Sequence, residues 1–452
     1  MKRKLKALLF GDSLKNRALR GAALTVVSLG GANLMRLVSN LILTRLLFPE
    51  AFGIMALVQV VLSGLQMFSD IGINTSIMQN KRGDDTDFLN TAWTLQIIRG
   101  GILWLAVALL ATPVAAFYEA PILAALLPVA GFTAVISGFN TTNAASANRK
   151  LMIGRLTAID LSTQAVGILI TVLLAWWLHS VWALVFGNLA TGLIRVGLYH
   201  RLLPGIRNRL HWDRDAFDQI IRFGAFIFLS TVAGFLINNG DRAILGNYIS
   251  MADLGVYSIG FFLGTLPLLL TRAIANKVIL PLYRMKSPTG GAANRAKIHH
   301  ARRLLVAGAL GVCMVLAFIG IPLVDLLYDP RYALAGPIIV LFGLTKVPEI
   351  VFAAYDGVLL AHGDSKRFFY LLVTIALAQS GLTLLGVIWF GIPGAVIAPG
   401  LAAVLTYPLK AAFVQRYNAW DPKADALFLL LGVAVTGFAC WLQSEALAAL
   451  FT

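Results

Sequence analysis

The sequence predicts an all-α integral membrane protein: two six-helix lobes, 12 core transmembrane helices around a central cavity, and one extra C-terminal helix. Three observations predict it. Of the 452 residues, 58% are hydrophobic and only 13% charged, where an average soluble domain carries about 25% charged residues. Windows of roughly 20 apolar residues, the length that crosses a bilayer as a helix, recur along the whole chain. The basic residues sort to alternate loops, as cytoplasmic loops of membrane proteins do.

The first 20 residues form a basic, amphipathic segment. Lys2, Arg3, Lys4, Lys6, Lys15, Arg17 and Arg20 surround a short apolar patch at 7–10. There is no continuous apolar core with a small-residue cleavage site, so this segment reads as a surface-lying helix that keeps the N-terminus in the cytoplasm. Spans follow at about 22–47, 51–69, 92–117, 122–146, 155–178 and 181–200, making an N-lobe of residues 21–203. The polar stretch 204–222 is a cytoplasmic linker. A C-lobe, 223–416, holds spans at about 223–248, 252–275, 303–328, 333–361, 368–390 and 393–415. A thirteenth span at about 426–441, within 424–452, puts the C-terminus outside.

Sidedness supports this map. Of 37 lysines and arginines, 28 fall on the cytoplasmic side, and only Arg45 and Arg331 on the other, beside Glu50, Glu119, Asp253, Asp325 and Asp329. The net charge of +16 therefore reflects membrane orientation and not nucleic-acid binding. Cys313 and Cys440 both lie in apolar segments, which argues against a disulfide framework or a Cys-based metal site.

The two lobes echo each other. An offset of 202 residues aligns Arg20 with Arg222, Leu34 with Leu236, Ile42 with Ile244, Leu43 with Leu245 and Gly53 with Gly255, and the stretch at 113–118 is echoed at 322–328. Internal duplication of this kind is a transporter architecture, with substrate bound near the bilayer midplane.

Charges inside the spans mark candidate sites. Arg36 lies near the centre of the first span, where a charge costs at least ~2.5–3.5 kcal/mol unless it faces protein or water. Asn33 and Asn40 share its face by their spacing of three and four. The seventh span carries Asn238, Asp241 and Arg242. The tenth carries Lys346, Glu349, Ala353 and Asp356 at 3-4-3 spacing, a stripe that must face protein or water. Two readings stand, and both can hold at once. In one the charges pair locally, Asp241 and Arg242 with neighbouring helices and Lys346 with Glu349 one turn away. In the other, Arg36, Arg242 and Lys346 bind an anionic substrate, since cations match phosphate oxygens. Asp241, Glu349 and Asp356 then cycle a proton or Na⁺, because a desolvated carboxylate exchanges protons more readily. Asn33, Asn40, Asn140 and Asn238 would supply polar cavity contacts.

Arg99, Arg195 and Arg272 lie toward cytoplasmic helix ends and read as snorkelling side chains. Asp160 and Gln164 suit either the cavity or a packing hydrogen bond. Asn140, Thr141 and Asn143 suit sugar hydroxyls or interhelical contacts. No phosphate loop, metal-ligand cluster or Ser/His/Asp set accompanies them, so the sequence predicts no catalytic residues, no metal and no cofactor beyond a coupled H⁺ or Na⁺.

Several stretches resemble a known family. The loop at 71–80, Ile-Gly-Ile-Asn-Thr-Ser-Ile-Met-Gln-Asn, followed by Asp84–Asp87 and Phe88–Trp93, is similar to the segment after the second helix of Wzx-type polysaccharide flippases. Asn148-Arg149-Lys150-Leu151, the stretch Val181 to Gly187, and Asp241-Arg-Ala-Ile-Leu-Gly through Leu254-Gly-Val-Tyr257 resemble further landmarks. The likeness covers about residues 20–416. Met152 departs from it, standing where an aromatic is usual.

That family belongs to the multidrug/oligosaccharidyl-lipid/polysaccharide superfamily. The resemblance implies a central cationic cavity and, as function, flipping of undecaprenyl-diphosphate-linked oligosaccharide repeat units from the cytosolic to the periplasmic leaflet of the bacterial inner membrane. The partners implied are that lipid-linked glycan, membrane lipids, and a polysaccharide polymerase and chain-length regulator. Of the intramembrane polar residues only Asp241 falls on a matching motif. The competing readings are a multidrug or cation exporter, whose cavity should be net acidic, and a membrane polysaccharide polymerase or ligase, which needs a large outer loop that this map lacks.

Overall fold

A computed structural model describes residues 14–69, 72–225 and 228–451, and the described chain is helical, with no strand. Residues 1–13 of the basic N-terminal segment and Ile71 of the loop motif lie outside the described residues. Among the described residues, ten helices are long and apolar enough to cross a membrane, or eleven if one bent pair counts as a single span. The chain is a multi-pass membrane protein. It divides into two units, one of residues 1–47 with 58–232 and the other of 48–57 with 233–452.

The first unit contains α1 (Leu14–Leu46), most of α2 (Pro49–Phe68), α3 (Ile73–Gln79), α4 (Thr86–Phe117), α5 (Ile122–Gly138), α6 (Asn143–Arg149), α7 (Ile153–Leu178), α8 (Trp182–Leu202) and α9 (Arg214–Ala225). The Asp85 side chain caps α4 by accepting from the Asp87 amide, relieving one of the orphan donors at a helix start. Gln164 on α7 donates to the Ala32 carbonyl on α1 at 2.8 Å, so it is a packing contact. The span expected at 122–146 is not one helix: α5 and α6 meet at 59°. Between them, Thr141 donates to Asn208 and its hydroxyl accepts from the Asn143 amide. Short polar side chains compete here with the helical ladder.

Thr141 and Asn143 also explain the linker. Residues 203–213 form a strap pinned by side chains: Asn143 accepts from the Ile206 amide and donates to the Ile206 carbonyl, and Asn208 donates to Thr142. Asn90, Thr94 and Thr91 accept the amides of Arg209, His211 and Asp213. The second part of the stretch read as a linker, 204–222, forms α9, with Asp213 accepting the amides of Asp215 and Ala216 at its start. Ala216 and Ile220, four apart and so on one face, bury against Ile73, Ile77, Phe88 and Leu89. Arg82 completes the fastening through Asp213, 2.7 Å away, and Asp85.

The second unit contains the start of α2, α10 (Phe228–Leu245) from residue 233, α11 (Met251–Gly264), α12 (Leu266–Ile274), α13 (Leu280–Met285), α14 (Ala292–Leu327), α15 (Ala335–Ala353), α16 (Asp356–Ala361), α17 (Ser365–Phe390), α18 (Ile392–Gln415), α19 (Pro422–Leu442) and α20 (Ser444–Ala448). The thirteenth expected span is α19, and it belongs to this unit. A π-helical turn, Ala275–Ile279, precedes Pro281. A proline cannot donate to the ladder and crowds the carbonyl four residues back, so the helix widens there.

Gly53 and Gly255, aligned by the internal repeat, meet each other. A Cβ on Gly53 would stand 1.9 Å from the Met251 carbonyl oxygen, and one on Gly255 would stand 1.9 Å from that of Pro49. Two repeat-related glycines thus let two backbones touch.

α15 is the axis of this unit. It packs against α11, α14, α18 and α19, and 83% of an 18-residue apolar stretch within residues 330–361 is buried. That is why it tolerates ionisable groups. The expected stripe does not stay straight, however: the helix breaks at Ala354–Tyr355, and Asp356 opens α16. The loop expected to end near 303 is also corrected, because α14 begins at Ala292.

Candidate functional site

Each unit encloses a polar cavity, and the two differ in charge. In the first unit a cavity of about 390 Å³ is lined from α2, α3, α4, α5, α6 and α8. Its cations are Arg99 and Arg195, and its amides include Gln66, Asn74, Gln96, Asn140 and Asn148. None of the described lining residues is a carboxylate.

Arg99 is oriented by two bonds. Its Nη2 donates to the Gln66 carbonyl at 2.6 Å and its Nε to Ser69 Oγ at 3.0 Å. Arg195 stands 3.7 Å from Asp160, which accepts from the Tyr199 hydroxyl at 2.8 Å. Asp160, which is not among the lining residues, thus holds an arginine and a tyrosine that are. Arg99 and Arg195, read from the sequence as snorkelling side chains, line this cavity, and Arg272, read the same way, lines that of the second unit. A sequence signal for this existed: Gln96 and Arg99 are three apart on α4, so an amide and a cation share one face.

The α5–α6 break delivers Asn140 to the same wall. α4 and α5 touch at this level, where a Cβ on Gly138 would lie 2.8 Å from the Gln96 carbonyl oxygen. Two side-chain oxygens there, Gln96 Oε1 and Asn140 Oδ1, are buried with no hydrogen-bond donor among the described residues. Buried acceptors normally find partners.

The cavity of the second unit is smaller, about 160 Å³, and is lined from α10, α12, α15, α16, α17 and α18. Asn238, Arg272, Glu349, Asp356 and Lys410 supply its polar wall. Here every cation has an acid. Lys346 Nζ lies 2.5 Å from Glu349, Arg272 lies 3.9 Å from the other Glu349 oxygen, and Lys410 bonds Asp356 at 2.7 Å. Lys346 is only 3% exposed, does not line this cavity, and rests 5.3 Å from the centre of the Phe342 ring. Lys410 escaped the sequence reading because its partner is 54 residues away.

The other predicted residues are dispersed. Arg36 is exposed on α1, with Asn33 and Asn40 half-buried beside it, and none of the three lines either cavity. Asp241 is buried and accepts from the Tyr257 hydroxyl at 2.6 Å. Arg242 lies 4.5 Å from the centre of the Phe261 ring and donates to the Asn238 carbonyl. Asn238 itself donates to the Gly234 carbonyl at 2.7 Å.

A fourth charged cluster has no counterpart in the sequence reading. Arg302, fully buried on α14, bonds Asp425, 1% exposed on α19. The hydroxyls of Tyr355 and Tyr407 donate to the other oxygen of Asp425 at 2.8 and 2.7 Å. This network fastens the extra C-terminal helix to the unit's axis. Outside the spans, hydrogen bonds from Arg82 hold the carboxyls of Asp85 and Asp213 below the usual range.

Comparison with known proteins gives the family context. A model of the family described as polysaccharide biosynthesis protein matches residues 42–335, more than half of the chain. The lipopolysaccharide biosynthesis protein WzxC of Escherichia coli is 23% identical over 60% of this chain, and the match spans only 55% of that protein's length. The succinoglycan biosynthesis transport protein ExoT of Rhizobium meliloti is 22% identical over 92% of this chain and 85% of its own. Among solved structures, the lipid II flippase MurJ in an inward closed conformation superposes with a TM-score of 0.71 at 13% identity, covering 94% of this chain and 96% of that one. That likeness is one of fold.

Proposed function

This chain belongs to the polysaccharide biosynthesis protein family, and on that premise we propose that it is a transporter, not an enzyme, that flips undecaprenyl-diphosphate-linked oligosaccharide repeat units. It carries them by alternating access from the cytosolic to the periplasmic leaflet of the bacterial cytoplasmic membrane, for exopolysaccharide, O-antigen or capsule assembly. A polymerase and a chain-length regulator act on the delivered units. The N-terminus is cytoplasmic, and α19 brings the C-terminus to the periplasm.

The observation that carries this reading is the cavity of the first unit, with Arg99 and Arg195 in its wall and no carboxylate lining it among the described residues. A diphosphate cannot cross hydrocarbon unaided, because isolated charge is costly there. Guanidinium groups offer paired donors that match phosphate oxygens, while amides replace the water lost from sugar hydroxyls. The prenyl tail needs no shelter and stays in lipid. In the second unit, Glu349 and Asp356 line a cavity beside Arg272 and Lys410, and a proton or Na⁺ exchanged at these acids, or at Asp241, couples the cycle to a cation gradient. Arg36, exposed on α1, serves in this scheme as a further cation toward the anionic headgroup, whereas Lys346, buried against Glu349, and Arg242, resting on the Phe261 ring, line neither cavity and do not.

One observation favours the cation-exporter alternative, namely the acids of the second cavity, but each is already matched by a cation in its wall. The test is reconstitution in liposomes with a fluorescent undecaprenyl-diphosphate disaccharide, following dithionite quenching of the label in each leaflet. Protein-dependent equilibration of the label is expected. A protein that moves a cationic dye but leaves the lipid-linked sugar in its leaflet would overturn the reading.

A further inference from the structure

One groove of the second unit belongs to neither polar cavity. It has a volume of about 410 Å³ and runs between α12 with its π-helical turn, through Pro267, Ile274 and Val278, and α14, through Ala301, Leu304 and Val312. The steps of three, four, seven and eight residues keep each wall on one helix face. The wall's single hydroxyl, that of Thr271, already donates to the Pro267 carbonyl at 2.7 Å, so the side chains offer a ligand only hydrocarbon contact. The flank is open, because Val278, Leu304 and Val312 are exposed. One end is basic. Lys277 precedes Val278, and Lys297 lies one turn before Ala301 on the same face of α14; both are exposed. Residues 277–303 hold seven lysines and arginines and no aspartate or glutamate, which marks this end as cytoplasmic. We propose that the groove binds an anionic glycerophospholipid of the cytoplasmic leaflet, one acyl chain along its length and the headgroup phosphate against Lys277 and Lys297.

Length and charge both point to that occupant. From Ala301 to Val312 the groove is ~16 Å long at about 1.5 Å per residue. That is about half of a hydrocarbon core roughly 30 Å thick, the depth of one leaflet. An acyl chain ends where the groove ends, whereas the much longer chain of a prenyl carrier overruns it. Basic side chains at the membrane surface attract anionic lipid headgroups, and the apolar walls take only the tail. The site also has a back. Thr271 faces the groove while Arg272, the next residue, lines the second unit's cavity, so a bound lipid braces the helix that presents Arg272. The widened π-helical turn at Ala275–Ile279, a feature frequent at functional sites, is where that bracing acts.

The test titrates the full chain in detergent with palmitoyl-oleoyl phosphatidylglycerol, the matching phosphatidylcholine and undecaprenyl phosphate. Native mass spectrometry reads affinity, and hydrogen exchange reads the place of binding. Phosphatidylglycerol should bind at least fivefold more tightly than phosphatidylcholine and should slow exchange in residues 266–285. The double variant Lys277→Gln, Lys297→Gln should erase that preference and leave phosphatidylcholine binding unchanged. Gly308, which also lines the groove, gives a second probe: a Cβ there meets nothing within 4 Å, so Gly308→Phe fills the groove while the helix survives. It should weaken phosphatidylglycerol at least fivefold and abolish the protection. Equal affinity for the two phospholipids in the parent protein would overturn the proposal, as would full phosphatidylglycerol affinity in Gly308→Phe. Stronger protection of the same residues by undecaprenyl phosphate would also overturn it, assigning the groove to the prenyl carrier instead. None of these readings uses transport, so the site stands or falls apart from the flippase assignment.

Discussion

The two cavities differ in where their acids stand: none of the described residues lining the first is a carboxylate, whereas Glu349 and Asp356 line the second. In the first unit, Asp160 pairs with Arg195 and accepts from Tyr199 without itself lining the cavity. In the second, Glu349 and Asp356 are themselves in the wall, beside Arg272 and Lys410. Arg195 too has an acid within 3.7 Å, as Arg272 has at 3.9 Å, so what differs between the two walls is whether a described carboxylate itself lines the cavity.

This contrast can be broken in graded ways. The largest effect is expected where neutralisation is most complete. Arg302→Leu leaves Asp425 buried without its cation and should cost ~3–5 kcal/mol, read as a large drop in Tm of the purified protein. Replacing both residues with apolar ones should recover much of that loss. If the single variant is as stable as the parent, the buried network does not hold α19.

Lys410→Met should be next, because it strands Asp356 beside the cavity. A double-mutant cycle with Asp356→Asn should return a coupling of about 0.5–3 kcal/mol in stability, and zero coupling would show that the two charges act independently. Transport by Asp356→Asn should lose its dependence on an imposed pH or Na⁺ gradient.

Arg99→Gln in the first unit should behave in the opposite way, cutting flipping about tenfold or more with a modest change in Tm. Equal losses in both would make Arg99 a structural strut. Arg36→Ala sharpens the same point for the exposed cation of α1: if flipping by correctly expressed protein is untouched, Arg36 plays no part in the anion path.

The smallest effect concerns the strap. Asp85 and Asp213 have carboxyls held low by Arg82, so the stability they contribute is present above the ordinary carboxylate value near 3.9 and is lost as pH falls through their lowered values. Hydrogen exchange of residues 203–213 should therefore rise only in acid, and Arg82→Gln should flatten that dependence.

Much of the fold was legible because the bilayer imposes a length and a solvent. Apolar windows located α2, α4, α7, α8, α17, α18 and α19 to within a few residues, except for the early start of α4. Position alone could not reveal the α5–α6 bend, where Thr141 and Asn143 serve the strap, or the break at Ala354–Tyr355 that starts a new helix at Asp356. Charges were easiest to see where local spacing paired them, as in Lys346–Glu349.

By itself, the sequence determined the membrane class and the presence of charges within apolar spans, since both follow from how many apolar residues lie in a row and where charged residues interrupt them. Only the tertiary structure decided which charges meet. Lys410 finds Asp356 across 54 residues and Arg302 finds Asp425 across 123, and Gln96 and Asn140 share a wall because α4 and α5 touch at Gly138. The physical reason is range: burial is a property of a segment, whereas a hydrogen bond exists only when packing brings two particular atoms within about 3 Å.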